Sequence, residues 1–222
     1  MLYLYHKEAG ASTLTLTGDD HRYIFKVRRH KAEDTLYLRN LEDGYLYTYE
    51  VVSIDKRTVV LSLRAQQELE VKATRPLHIG WCVIDPKSIE KILPSLNEIG
   101  VEKITFIYCK RSQKSFKPDF KRLEKILLNS SQQSGRSVML QLDIMESLEA
   151  FLHRYPQSYM LNFSQKPVSE EKDISTIVIG CEGGFHEEEV SLFTPEKIVG
   201  FKTPLVLKSE SAVCAVASKI LL

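Results

Sequence analysis

The sequence predicts an α/β protein in which a small antiparallel β-barrel or sheet precedes an α/β layer domain. Before residue 70, runs of β-branched and aromatic residues alternate with turn signals, as in antiparallel strands. After Pro76, apolar strand-like runs alternate with helical patterns, which is typical of a parallel sheet covered by helices. The polar stretch 65–75 is the predicted linker. We therefore expect a β-barrel at 1–70 and an α/β domain at 71–222.

The N-terminal part should consist of four strands and one helix. The strands are predicted at residues 13–17, 35–38, 45–54 and 58–64. Asp19 or Asp20 could cap the helix, which would display its basic side chains outward. The candidate RNA-binding residues of this segment are Arg22, Lys26, Arg28 and Arg29. The alternative is a solvated basic surface without a ligand.

The α/β part should contain five strands and three helices. The strands are predicted near 77–84, 104–108, 158–162, 175–180 and 197–201. In the first helix, Asp85 is the expected N-cap, Pro86 takes the first position, Pro94 should produce a kink and Gly100 should end the helix. Two further helices are predicted at about 118–133 and 209–221.

Composition argues for an ordinary globular protein. The 222 residues are 43% hydrophobic, yet no apolar run approaches the roughly 18 residues of a membrane span. No N-terminal segment resembles a signal peptide, so we expect a cytoplasmic protein without a membrane partner. The net charge of +1 gives no global argument for nucleic-acid binding. A local cluster that includes Lys110, Arg111, Lys114 and Lys117 nevertheless could neutralise phosphates.

The cysteines and histidines indicate no metal site. Cys82, Cys109, Cys181 and Cys214 are scattered without a C-x-x-C pair, which predicts neither a zinc site nor a disulfide framework. We expect Cys82, Cys109 and Cys214 to be reduced core residues. Cys181 could be a reactive thiol, but no histidine partner for catalysis is indicated. The six histidines show no metal-like spacing.

Two C-terminal loops carry the strongest functional signal. The runs 177–185 and 205–212 each place an apolar strand-like segment before small and polar residues. Three glycines within 180–184 let the backbone approach a flat ligand closely. The two loops can meet at one edge of a parallel sheet, where such folds bind ligands. The alternative is a tight β-to-α turn that binds nothing, and neither a dinucleotide motif nor a P-loop fits.

Five ordered blocks that extend over about half of the chain resemble motifs of the SPOUT RNA methyltransferases, and most closely those of the RsmE family. The first loop matches the Gly-Pro-Glu-Gly-Gly-Phe motif, with Cys181 in place of proline, and His186 replaces the usual Ser or Thr that follows. The second loop matches Leu-Arg-x-Glu-Thr-Ala with conservative changes, and Leu205 stands where arginine is common. The remaining blocks are 98–101, 111–112 and 133–136.

This resemblance implies a fold, a reaction and partners. The fold would be a C-terminal SPOUT-type α/β domain with a trefoil knot, preceded by a PUA-like RNA-binding barrel, in a homodimer. The reaction would be methyl transfer from S-adenosyl-L-methionine to N3 of a uridine in small-subunit (16S) ribosomal RNA, either free or in the assembled subunit. The implied cofactor-binding residues are Leu161, Phe163, Gly180, Cys181, Glu182, Gly183, Val199, Leu205, Val206 and Leu207.

The chemistry of this reaction selects the candidate catalytic residues. A guanidinium suits the stabilisation of a uridine anion, and Arg111 and Arg136 lie in family-like blocks. Each could instead form a structural ion pair or a phosphate contact. Glu182 and Glu210 could act as a base or could fix loop amides. Lys110 and Lys114 are candidate RNA contacts.

Two alternative functions stay open at this point. The altered cofactor loop, with Cys181 and Leu205, could belong to a non-catalytic RNA- or ribosome-binding factor on the same fold. The protein could also be a methyltransferase for another RNA.

Overall fold

The computed structural model describes residues 2–27, 30–31 and 33–222, and it leaves the side chains of Lys26 and Val27 undescribed. The chain divides into two units, the first formed by residues 1–72 and 131–138 and the second by residues 73–130 and 139–222. Arg28 and Arg29, together with the side chain of Lys26, therefore lie outside the described part, and their role in RNA binding stays a prediction.

The first unit contains a five-stranded sheet and a short helix. In chain order its elements are β1 (Leu4–Tyr5), β2 (Thr13–Thr17), α1 (Gly18–Arg22), β3 (Leu36–Arg39), β4 (Tyr45–Ile54) and β5 (Thr58–Glu68). The strand order is β1-β3-β4-β5-β2, with antiparallel pairing except between β1 and β3. Strand β2 buries Leu14 and Leu16 and exposes its threonines, so the alternating sequence sets which side chains enter the core.

Three details of the first unit differ from the sequence prediction, and the first is strand β1, which was not predicted. Helix α1 starts directly after Thr17 and continues as a π-helical turn, Tyr23–Val27, so Asp19 and Asp20 lie in the first turn and neither is the N-cap. Carboxylates are favourable there because the helix N-terminus is positive. Residues 65–68 belong to β5 and not to a linker, because β4 is long enough to pair Tyr45 with Glu68.

The second unit contains a six-stranded parallel sheet with helices. Its elements in chain order are β6 (His78–Cys82), α2 (Pro86–Ile99), β7 (Lys103–Ile107), α3 (Phe120–Ser134, whose last four residues are grouped with the first unit), β8 (Gln141–Met145), α4 (Leu148–Arg154), β9 (Tyr159–Leu161), β10 (Thr176–Ile179), α5 (Glu187–Val190), β11 (Ile198–Val199) and α6 (Ser209–Leu221). The strand order is β11-β9-β10-β6-β7-β8. Because all neighbours pair in parallel, every carboxyl end lies at one edge.

Helix α2 confirms the predicted N-cap, first-turn proline and terminal glycine. The Asp85 side chain accepts a hydrogen bond from the Ser88 amide at 3.1 Å, and Pro86 occupies the first turn. Gly100 ends the helix with φ of 112°, a left-handed conformation that glycine adopts without steric cost. Pro94 lies inside the helix without ending it. The last helix, α6, also has the predicted bounds.

Strand β8 and helix α4 are absent from the sequence prediction. Strand β8 is a five-residue edge strand without a buried side chain, so its sequence lacks an apolar run. Helix α4 spans seven residues and is capped by Ser147, which accepts a hydrogen bond from the Ala150 amide. Segments this short carry little periodic signal.

The expectation that Cys82 and Cys109 are reduced is wrong for this structure, in which they form a disulfide. Cys82 ends β6 and Cys109 follows β7, and these neighbouring parallel strands bring the two Cα atoms to 5.8 Å. The 27-residue separation along the chain hides this proximity. Cys181 and Cys214 are free thiols.

Candidate functional site

A cavity of about 730 Å³ opens at the carboxyl edge of the parallel sheet. Three loops form it: residues 161–165 after β9, residues 180–185 after β10, and residues 201–209, which lead into α6. Strands β9 and β10 are neighbours, so their loops leave the sheet side by side. The site therefore lies where parallel α/β sheets bind ligands.

The glycine loop presents backbone to this cavity. Gly184 has φ of 68°, in the left-handed region, and its amide donates to the Cys181 carbonyl at 2.9 Å to close a turn. The Cys181 thiol points into the turn and donates to the Gly184 carbonyl at 3.7 Å. Burial raises the pKa of this thiol, so it stays protonated at neutral pH. Cys181 thus acts as a packing residue of the loop and not as a nucleophile.

The opposite wall depends on a close backbone contact at Gly200. A Cβ atom at this position would lie 2.5 Å from the Ser164 carbonyl oxygen and 2.8 Å from the Ser164 amide nitrogen. Gly200 also exchanges backbone hydrogen bonds with the Lys166 carbonyl and the Val168 amide, both at 2.8 Å. Glycine is required here because the 162–166 loop packs directly against the chain after β11.

A buried hydrogen-bond chain fixes the base of the glycine loop. The Trp81 indole Nε1 donates to Ser209 Oγ at 2.9 Å, and Ser209 Oγ donates to the Gly180 carbonyl at 2.5 Å. Trp81 is fully buried and Ser209 is 4% exposed, so no water replaces these bonds. Ser209 therefore connects the centre of the sheet, the start of α6 and the first residue of the glycine loop.

Replacing Ser209 by alanine should reduce the free energy of unfolding by about 1–3 kcal/mol, because the buried Trp81 Nε1 loses its partner and the partly buried Gly180 carbonyl loses a hydrogen bond. Chemical denaturation of the purified variant measures this change. Ser191→Ala is the matched control, since Ser191 donates to the Glu188 carbonyl at the exposed surface and its loss should cost little. Equal stability of both variants would contradict the structural role of Ser209.

A buried carboxylate joins the glycine loop to the segment after β7. Glu189 is 2% exposed, and its Oε1 accepts from the Lys110 amide while its Oε2 accepts from the His186 amide, both at 2.8 Å. His186 caps α5 in turn, because its Nδ1 accepts from the Glu188 amide at 3.4 Å. The histidine therefore fulfils the capping role usually taken by Ser or Thr.

The same segment contacts the glycine loop and α5 through two basic side chains. Arg111 Nη1 donates to the Gly183 carbonyl at 2.6 Å, and Lys110 Nζ forms an ion pair with Glu188. Arg111 remains an exposed side chain. The structure thus places Arg111 beside the cavity as a residue that positions the loop.

The structure brings the predicted cofactor-binding residues together, with one exception. Leu161, Phe163, the loop from Gly180 to Gly183, and the segment from Leu205 to Leu207 all line the cavity. Val199 is fully buried in β11, and its carbonyl accepts from the Asn162 amide at 2.9 Å, so it supports the wall without lining the cavity.

The candidate catalytic residues occupy different places. Glu182 lines the cavity with an exposed side chain. Glu210, in the first turn of α6, is half-buried and does not line the cavity. Arg136 is 6% exposed, belongs to the first unit and donates from Nε to the Val138 carbonyl at 3.0 Å. Burial of this guanidinium favours the structural alternative for Arg136.

Several cavity residues are missing from the sequence prediction. These are the polar residues directly after β9, namely Asn162, Ser164 and Gln165, and the residues 201–204 before the second loop. Their position directly after a buried strand could have identified them as cavity residues from the sequence. Glu189 and Ser209 were missed because only their three-dimensional contacts distinguish them from other helix residues.

The exposed apolar side chains at the rim indicate the class of ligand. Phe163 is 83% exposed, Leu205 is 72% exposed and Val206 is 75% exposed, although all three line the cavity. Such side chains gain stability when a flat apolar group covers them. The backbone N–H and C=O groups of residues 180–184 lie in the same cavity. The apolar side chains suit the face of a purine ring, and the backbone groups suit hydrogen bonds to its edge. S-adenosyl-L-methionine, the cofactor that the family resemblance implies, contains such a purine ring, and the residues that line the cavity fit it.

Of the predicted RNA contacts with described side chains, Arg22 and Lys114 are exposed, whereas Lys110 is engaged by Glu188. Within the described residues, no group of three or more His, Cys, Asp or Glu side chains is arranged to hold a metal ion. None of the helices in the described part of the chain has the length and apolarity to cross a membrane.

Two family models and several known proteins match this chain. A model of the RNA methyltransferase domain matches residues 71–221, and a model of the RNA methyltransferase PUA domain matches residues 16–64. A Helicobacter pylori protein named ribosomal RNA small subunit methyltransferase E is 40% identical over 222 residues, which cover 98% of each chain. An Aquifex aeolicus protein of the same name is 25% identical, with the same coverage.

Solved structures share the fold. A Neisseria gonorrhoeae ribosomal RNA small subunit methyltransferase E, bound to S-adenosyl methionine, superposes with a TM-score of 0.83 at 17% identity and covers 98% of this chain and 95% of that chain. A Legionella pneumophila methyltransferase in complex with the same cofactor gives a TM-score of 0.79 at 20% identity, covering 98% and 96%. The expected SPOUT-type α/β fold with an N-terminal PUA-like part is therefore confirmed.

Proposed function

Since the chain belongs to the family of RNA methyltransferases named ribosomal RNA small subunit methyltransferase E, we propose that it transfers a methyl group from S-adenosyl-L-methionine to N3 of a uridine in small-subunit ribosomal RNA. Residues 71–222 form the methyltransferase domain of this proposal, with a trefoil knot. Residues 1–70 form a PUA-like domain that binds the RNA. The enzyme acts in the cytoplasm as a homodimer, on free RNA or on the assembled subunit.

The observation that carries the proposal is the cavity built from the three loops at the carboxyl edge of the sheet. When bound, S-adenosyl-L-methionine supplies an electrophilic methyl group on a sulfonium centre. Phe163 and Leu205 can cover its adenine ring, and the backbone of 180–183 can read the ring edge. Glu182 offers a carboxylate on the same cavity wall, which suits a positively charged sulfonium.

Methylation at N3 of uridine places two demands on the protein. N3 carries a proton at neutral pH, so a base must accept it, and the negative charge then spreads to the flanking carbonyl oxygens. Glu182 is the described carboxylate that lines the cavity and is our candidate base. Arg111 Nη1 donates a hydrogen bond to the Gly183 carbonyl. The other N–H groups of the same planar guanidinium suit hydrogen bonds to the carbonyl oxygens of the uridine.

Arg111→Ala should lower methyl transfer more than it lowers cofactor affinity. Loss of one exposed hydrogen bond to the Gly183 carbonyl should weaken cofactor binding by up to about tenfold, equivalent to roughly 0.5–1.5 kcal/mol. Loss of the charge near the uridine should reduce turnover by about 100-fold or more. Single-turnover kinetics and calorimetry separate the two effects. The matched Arg111→Lys variant should recover cofactor affinity but not turnover, and full turnover in Arg111→Ala would refute this role.

The product nucleoside tests the target of the reaction. Small ribosomal subunits that lack the modification are incubated with the protein and the labelled cofactor, and the RNA is digested for nucleoside analysis. We expect 3-methyluridine. Label in another nucleoside would overturn the N3 assignment, whereas binding of subunits without cofactor binding would support the non-catalytic factor.

A further inference from the structure

Helices α2 and α3 lie side by side in the second unit with their N-termini at the same end. Near the starts of both helices, Arg122 forms an ion pair with Glu90 at 2.7 Å. Near their ends, Ser130 Oγ donates to the Pro94 carbonyl at 3.2 Å and accepts from Asn97 Nδ2 at 3.1 Å. Because the N-terminal part of α2 contacts the N-terminal part of α3, and their more C-terminal parts also contact each other, the two helices run parallel.

The first two turns of each of these helices carry a pair of exposed lysines. Lys87 and Lys91 lie four residues apart on α2, and Lys121 and Lys125 lie four residues apart on α3. No carboxylate of the described residues lies within ion-pair distance of any of the four. Lys114 and Lys117, in the loop before α3, are exposed as well. We call these six residues the α2–α3 lysine surface.

The acidic groups beside this surface are largely engaged. Asp85 accepts from the Ser88 amide, Asp119 accepts from the Arg122 amide, and Glu90 is paired with Arg122. Glu124 is an exposed carboxylate among the lysines. Hydrogen bonds to backbone amides leave the carboxylate charges in place, so the six lysines and Arg122 outnumber the four acidic groups by three, in a chain whose formal net charge is only +1.

The α2–α3 lysine surface lies at the same edge of the sheet as the cavity. Helix α2 starts four residues after β6 ends, and β6 is the neighbour of β10, whose following loop forms the cavity. The N-terminus of α3 is held next to that of α2 by the pair of Arg122 and Glu90. A polyanion lying across the lysines can therefore reach the cavity along this edge.

We propose that the α2–α3 lysine surface binds the phosphate backbone of the RNA substrate, an inference that rests on the proposed function. Unpaired lysines at a spacing of about one helical turn match the spacing of successive phosphates and act as point charges. Helices α2 and α3 expose no large apolar side chain among their described residues, whereas a protein partner would need an apolar or aromatic anchor. The partner is therefore a nucleic acid.

Charge-reversal variants test this inference with small ribosomal subunits lacking the modification as the probe. We expect Lys121→Glu with Lys125→Glu, and separately Lys87→Glu with Lys91→Glu, to weaken subunit binding on the order of tenfold or more at moderate salt. The corresponding Gln pairs should lower the slope of log affinity against log salt by about 2. Lys172→Glu with Lys219→Glu is the matched control, because both lysines are exposed in the same unit but lie at the opposite edge of the sheet, before β10 and in the last turn of α6.

Cofactor binding and methyl transfer are measured in parallel, so that the two proposals fail separately. Unchanged calorimetric affinity for S-adenosyl-L-methionine shows that the variants are folded. The inference is overturned if the α2–α3 variants bind subunits as tightly as the control pair and keep the wild-type salt slope. If the wild type binds subunits through these lysines but transfers no methyl group, the surface assignment stands and the proposed function fails.

Discussion

Replacing Gly200 by alanine should remove most of the affinity for S-adenosyl-L-methionine. The added Cβ would lie 2.5 Å from the Ser164 carbonyl oxygen and 2.9 Å from the Asn162 carbonyl oxygen, and backbone atoms cannot move aside as a flexible side chain can. The 162–166 loop must therefore retreat, and this loop carries Phe163 and Ser164, which line the cavity. Overpacking of this kind costs about 1–3 kcal/mol, which corresponds to roughly 5- to 150-fold weaker binding when the cost is borne by the cofactor-bound state.

Isothermal titration of Gly200→Ala with the cofactor measures this effect, and thermal unfolding reports any accompanying loss of stability. Gly44→Ala is the matched control, because a Cβ there would meet no atom within 4 Å. The control should bind the cofactor like the wild type. Wild-type affinity in Gly200→Ala would mean that the contact with the 162–166 loop does not shape the cavity.

Glu189→Gln should disorder the glycine loop although the side chain keeps its size. Both carboxylate oxygens accept from backbone amides, those of Lys110 and His186. A glutamine offers one acceptor oxygen and turns an NH₂ donor towards the other amide, so one buried N–H is left without a partner. The expected cost is about 1–3 kcal/mol in unfolding free energy, with weaker cofactor binding and slower methyl transfer.

Glu187→Gln controls for the loss of one negative charge in the first turn of α5. Glu187 is exposed and should tolerate the change with little effect on stability or on cofactor affinity. The two variants differ in whether the carboxylate is buried between two chain segments. If both behave alike, Glu189 contributes only through the helix dipole and does not join the two segments.

The sequence predicts correctly those elements whose start and end are marked by their own residues. Helix α2 has an N-cap, a first-turn proline and a terminal glycine at Asp85, Pro86 and Gly100, and each takes the predicted role. Strand β8 and the extension of β5 to Glu68 were not predicted, because pairing with a neighbouring strand and not local sequence stabilises them. The disulfide between Cys82 and Cys109 was missed for the same reason, since strand pairing brings together residues that are distant in sequence.

The sequence motifs identified residues of the candidate site, whereas the residues that support these loops could be identified only from the structure. The glycine loop and the segment 205–207 line the cavity as the sequence indicated. The residues that hold the loop, Trp81, Glu189 and Ser209, belong to elements far apart in the chain. No spacing rule connects them, because their partners are backbone groups whose positions depend on the folded sheet. Arg111 was expected to stabilise the uridine anion, or else to form a structural ion pair or a phosphate contact, and its bond to the Gly183 carbonyl adds a role in positioning the loop.

The most direct test of the central claim is the transfer of labelled methyl groups from S-adenosyl-L-methionine to small ribosomal subunits that lack the modification. The wild-type protein should incorporate label up to about one methyl group per subunit, and Gly200→Ala should incorporate label far more slowly at the same cofactor concentration. The absence of label with the wild type, together with the absence of calorimetric cofactor binding, would contradict the account and leave an RNA-binding factor on a methyltransferase fold.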